Sequence, residues 1–61
     1  MSKIEIIWND GSISYVSKYA NATRFIEQAQ EYRTPLTAEI IARIYLYNNS
    51  SIKDVRVITD K

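Results

Sequence analysis

The feature that most constrains this chain is its only glycine. Gly11 follows Asp10 inside Asn9-Asp10-Gly11-Ser12, between two runs that alternate apolar and polar residues. Ile4, Ile6 and Trp8 alternate with Lys3, Glu5 and Ile7 on one side. Ile13 and Tyr15 alternate with Ser14 and Val16 on the other. Period-two alternation is the mark of a half-buried strand, and Asp-Gly between two such runs predicts a β-hairpin. A two-residue loop at Asp10-Gly11 would place Trp8 opposite Ile13, Ile6 opposite Tyr15 and Ile4 opposite Ser17. That register gathers the large apolar groups on one face. A three-residue loop would pair Trp8 with Ser12 and Ile6 with Ser14 and split them, so the two-residue loop is expected.

Beyond the hairpin the period changes. Ala22, Phe25, Ile26, Ala29 and Tyr32 fall on one helical stripe, with Thr23, Arg24, Glu27, Gln28, Gln30 and Glu31 opposite. Asn21 suits an N-cap, and Pro35 limits the far end. Residues 34–47 admit two readings. Thr34-Pro35 can cap a second helix whose apolar face is Ile40, Ile41, Ile44 and Tyr45, although Leu46 then sits beside Glu39 and Arg43. As a strand, Ile40, Ala42, Ile44 and Leu46 line one face and Ile41, Arg43, Tyr45 and Tyr47 the other. The β-branched and aromatic content favours the strand. Asn48-Asn49-Ser50-Ser51 reads as a turn into a final run, Val55 to Thr59. If those four residues form a hairpin loop, Ile44 meets Val55 and Ala42 meets Val57.

The expectation is one α+β domain over residues 1–61, an antiparallel sheet with one helix packed on one face. The order ββαββ is preferred, with ββααβ as the alternative. Ten Ile against two Leu suits a sheet-dominated core.

Composition narrows the chemistry. With no Cys and no His, disulfides, thiolate or imidazole metal sites and Ser-His or Cys-His nucleophiles are all excluded. Nothing local holds Ser17 with Lys18, or Ser51 with Lys53, as a catalytic pair. Among the carboxylates Glu5, Asp10, Glu27, Glu31, Glu39, Asp54 and Asp60, no spacing matches a cation-binding loop. Glu27 and Glu31 read as a solvated helix face. One glycine cannot build a phosphate cradle. No cofactor, metal, small-molecule substrate or enzymatic activity is expected. The start Met1-Ser2-Lys3 lacks a secretory pattern, and no apolar run approaches a membrane span, so a cytoplasmic protein is expected. The sequons beginning at Asn21, Asn48 and Asn49 then read as turn and cap residues.

What remains is a surface. With the helix over Ile4, Ile6, Trp8, Ile13, Tyr15, Ile44 and Val55, alternation assigns Lys3, Ile7, Val16, Lys18, Ile41, Arg43, Tyr45, Tyr47 and Arg56 to the bare sheet face. That mixture of aromatic, β-branched and cationic residues is enriched at protein interfaces. The expected partner-binding residues are Arg43, Tyr45, Tyr47 and Arg56, with Ile7 and Val16 as apolar support. The partner is a protein or a second copy in a homodimer, engaged through the sheet face or an unpaired edge. The alternative is single-stranded nucleic acid stacked on Tyr45 and Tyr47, with Arg43, Arg56, Lys3 and Lys18 near phosphates. A net charge of +1 weighs against it. In kind, a minimal cofactor-free domain rich in Ile, Asn and Tyr resembles the accessory proteins of phages and mobile elements. That resemblance implies an inhibitor that masks a host protein's surface.

Overall fold

Gly11 does make a hairpin turn, one residue longer than expected. Its φ of +89° is in the left-handed region that glycine enters without penalty. The Gly11 N–H donates to the Trp8 carbonyl and the Trp8 N–H to the Ser12 carbonyl, both at 2.9 Å. Asn9, Asp10 and Gly11 thus form a three-residue loop closed by a left-handed glycine. Asp10 Oδ1 accepts from the Ser12 hydroxyl at 2.6 Å and the Ser12 N–H at 2.9 Å. Those two bonds, the hydroxyl's first, hold the Asp10 carboxyl below its ordinary value of 3.8.

The longer loop shifts the hairpin register. Ile6 pairs with Ser14, Ile7 with Ile13 and Glu5 with Tyr15, in place of Trp8 with Ile13 and Ile6 with Tyr15. Each side chain of the second strand therefore changes face. Ile13 and Tyr15 leave the side of Ile4 and Ile6, and Val16 joins it. A local turn network outweighed the gain from collecting every apolar group on one face.

The computed structural model describes residues 1–17 and 21–59. In chain order the elements are β1 (Ser2–Trp8), β2 (Ile13–Val16), β3 (Ala22–Thr23), a 3₁₀ turn (Ile26–Gln28), α1 (Pro35–Asn48) and β4 (Ile52–Thr59). The sheet order is β3-β2-β1-β4, and all neighbours are antiparallel. This is an α+β domain, a four-stranded antiparallel sheet with one α-helix on one face.

The helix does not lie where the first helical stripe suggested. Residues 22–32 run as β3, the 3₁₀ turn and an extended stretch, so Asn21 is not a helix N-cap. Its carbonyl instead accepts the Ser17 N–H at 2.7 Å. Thr23 Oγ1 takes the Phe25 N–H at 3.3 Å and donates to Gln28 Oε1 at 2.9 Å. Such side-chain bonds draw backbone groups away from a helix. The sheet draws away more: Ala29 bridges Ser17, and Tyr32 exchanges both backbone hydrogen bonds with Ser2, at 2.7 and 2.8 Å. Pairing with strands already in place outweighs a short helix that is marginal by itself.

Residues 35–48 take the helix instead, against the strand preferred from β-propensity. Pro35 sits in the first turn, and Thr34 Oγ1 caps it by accepting the Thr37 N–H at 3.3 Å, a contact worth about 1 kcal/mol. Ala38 and Ala42, one turn apart, are the two buried helix residues. Their small side chains bring the helix axis close to the sheet. There they join Ile4, Ile6, Val16 and Ile52 in the core, with Trp8, Tyr32, Ile41, Tyr45, Leu46, Val55 and Val57 packed around it. Because 35–48 is helical, β4 pairs with β1 and not with a strand at 40–47. Ile4 opposes Val57, Ile6 opposes Val55 and Glu5 opposes Arg56, with a register shift between Ile7 and Trp8.

The turn from α1 to β4 is fastened to the hairpin loop. Asn49 Oδ1 accepts the Ser51 N–H at 3.0 Å. The Asn9 N–H donates to the Ser51 carbonyl and Asn9 Nδ2 to the Ser50 carbonyl, both at 2.9 Å. Trp8 Nε1 donates to Ser14 Oγ at 2.9 Å beneath this junction. Among the described residues no helix is long and apolar enough to cross a membrane.

Candidate interaction surface

Helix α1 carries apolar residues on two opposite sides. Ala38, Ile41, Ala42, Tyr45 and Leu46 face the sheet. At about 100° per residue, Leu36, Ile40, Ile44 and Tyr47 fall within an arc of about 80° on the far side, a ridge about 16 Å long. They are 67, 54, 54 and 85% exposed. Glu39 and Arg43 run along one flank of this ridge, an i,i+4 pair at 3.8 Å whose side chains are both more than half exposed. A pair in that setting contributes little stability, so its charges remain available to a partner.

The flank with Glu39 and Arg43 looks toward the free edge of β4. A groove of about 350 Å³ lies between them, lined by Glu39, Ala42, Arg43 and Leu46 from the helix and by Asp54 to Val57 from the strand. Two further hollows lie at the hairpin loop beside Trp8 and Ser51, and beside Met1, Lys3 and residues 27–31. Among the described residues no group of three or more His, Cys, Asp or Glu could hold a metal ion.

The expected sheet-face site is dispersed. Ile7 and Arg56 do lie on the sheet face away from the helix. Ile7 opposes Ile13 there, and Arg56 Nε stands 3.6 Å from Glu5 Oε1. Val16 lies on the opposite face, 1% exposed in the core, because the three-residue loop moved it there. Arg43, Tyr45 and Tyr47 are helical and therefore diverge. Arg43 flanks the outer ridge, Tyr47 ends it, and Tyr45 turns inward against the core. The stacking surface envisaged for nucleic acid needs Tyr45 and Tyr47 side by side with Arg43 and Arg56, and these four residues share no face. Lys18, also assigned to that surface, lies outside the described residues.

Tyr45 packs near Tyr32, whose hydroxyl titrates above its ordinary 10.0, chiefly through burial and secondarily through the neighbouring Tyr45 phenol. Both rings are parts of the packed core margin.

Leu36, Ile40 and Ile44 were not among the expected contact residues, yet the signal for them was present. Once Thr34-Pro35 is accepted as a helix start, residues 36, 40, 44 and 47 recur at helical spacing, opposite the pair Ala38 and Ala42. Two apolar stripes on one helix cannot both face a single sheet.

Compared with protein-family models, with curated proteins and with solved structures, the chain gave no match.

Proposed function

We propose that this protein is a non-enzymatic binding domain that contacts another protein through the outer ridge of α1. The observation that carries this reading is the ridge itself. Seven apolar residues are buried among those described, and three of them are alanines. Four large apolar side chains stand outside on one helix face. Burying one such side chain fully is worth about 1.5–3 kcal/mol, so a partner that covers the ridge gains what the domain's own core forgoes. Tyr47 and Arg43 add the residue types enriched at interface hot spots. An amphipathic helix laid on a partner's apolar groove would engage anchors at i, i+4, i+8 and i+11. Acting through such a face, a small cofactor-free domain works by covering its target, which is the mode of a masking inhibitor.

Site-specific photo-crosslinking in the native host tests this. A benzoylphenylalanine placed at Tyr47 is expected to capture a discrete polypeptide, and the same probe at Asp10 is not. The adduct should vanish when Ile40→Gln and Ile44→Gln are added to a chain that keeps its circular dichroism spectrum. Capture that ignores those two changes, or that is equal from both positions, would sink the ridge reading.

A further inference from the structure

From the free edge of β4 we infer that this protein pairs with a second copy of itself, strand to strand, to form a continuous eight-stranded sheet. Among the described residues β4 is bonded to β1 on one side and to no strand on the other. The amides of Ser2 and Trp8 point to the β2 side of β1. By alternation Ile6 and Val55 form a non-hydrogen-bonded pair, and the Val55 and Val57 amides point off the free edge. The Val55 N–H donates there to its neighbour, Asp54 Oδ1, at 2.8 Å. An edge amide tied to an exposed carboxylate is easily handed to a carbonyl of another strand.

The charges of β4 select the partner and the register. A two-fold axis perpendicular to the sheet keeps each residue on its own face and sets one residue of β4 opposite its own copy; the registers centred mid-strand include Val55 opposite Val55 and Arg56 opposite Arg56. The second register sets like charges against each other. The first places Asp54 opposite Arg56 of the second copy, twice over, on the face away from the helices. Val55 then exchanges backbone hydrogen bonds with its symmetry mate, and the released Asp54 carboxylate meets the opposing guanidinium. Arg56 can accept it, since among the described residues its ion pair is the 3.6 Å contact from Nε to Glu5, and its side chain is largely exposed.

The helices are compatible with this arrangement. α1 packs chiefly over β4 and β1. Pairing at the free edge of β4 therefore brings the two copies of α1 side by side on one face of the joined sheet. They would run antiparallel with their charged flanks facing. Glu39 and Arg43, which line the groove above Asp54 to Val57, bring one charge of each sign from each copy to this seam. β4 is thus self-complementary about the axis, and the α1 flank beside it carries no net charge. The inference does not rest on the ridge reading, but it places the two outer ridges side by side on one platform.

Sedimentation of the full 61-residue chain from about 1 µM to about 1 mM tests it. The expected result is a shift from the 7.1 kDa monomer to twice that mass. Amide exchange at Val55 and Val57 should slow as the dimer forms. Asp54→Arg, which sets arginines opposite each other, should weaken the dimer by about tenfold or more. A chain that stays monomeric throughout overturns the inference. So does a dimer whose Val55 and Val57 amides exchange at the monomer rate, or one abolished by Ile40→Gln with Ile44→Gln but indifferent to Asp54→Arg. A ridge that fails the crosslinking test while the edge still pairs leaves this inference standing.

Discussion

Ile4 and Ile44 are the same residue on opposite sides of the packing, and truncating each to alanine separates the core from the ridge. Ile4 is fully buried at the centre of the sheet, between β2 and β4 and beneath α1. Removing its outer carbons leaves a cavity that neighbours on three sides cannot collapse into, a change that costs about 2–5 kcal/mol. A chain of 61 residues at typical stability per residue unfolds with only about 3–9 kcal/mol in all. Ile4→Ala should therefore lower the melting temperature by about 10 °C or more and leave a visible unfolded fraction at 37 °C. Ile44 is 54% exposed on the outer ridge. Its truncation loses only partial burial and recovers a few tenths of a kcal/mol of helix propensity, for a net change below about 1 kcal/mol. Urea unfolding followed by circular dichroism and by Trp8 fluorescence measures both. Equal losses at the two positions would refute the reasoning, because Ile44 would then face the core and α1 would be turned about its axis.

Two other outcomes follow from the fold. A Cβ at Gly11 meets nothing within 4 Å, so Gly11→Ala is opposed only by the positive φ. It should destabilise by about 1–2 kcal/mol, and Gly11→Asn by less, in the same urea titration. Tyr32 holds its proton more tightly folded than unfolded. Its contribution is complete below pH 10 and is lost as the pH climbs from 10.0 towards the raised folded value. Tyr32→Phe should flatten that alkaline loss of stability, and a pH series of melting temperatures up to the alkaline range would show whether it does.

The two strands around Gly11, the turn, the last strand and the class of fold were legible in the residues themselves. Each rests on short-range chemistry: alternation, a single glycine, and Asn-Ser turn residues. The hairpin register was not legible, because it hangs on Asp10 bonding to Ser12, and apolar matching across strands favoured the other loop. The place of the helix was not legible for a related reason. Residues 22–32 and 35–48 both carry helical spacing, and only their surroundings distinguish them. The first finds open backbone groups on Ser2, Val16 and Ser17 and pairs with them. The second finds a proline start, a threonine cap and two alanines that fit flat on a sheet.

The candidate site changed with the helix. A strand would have set Arg43, Tyr45 and Tyr47 on one face, since side chains two apart align at a period of two. A helix rotates successive pairs by about 200°, so Tyr45 turns in while Tyr47 points out. The residues alone determined that apolar side chains exceed what one covered face can hide, because a chain this short has little interior. Only the tertiary structure decided where the surplus goes. One helix must press its small residues to the sheet, and its large ones are left to the outside.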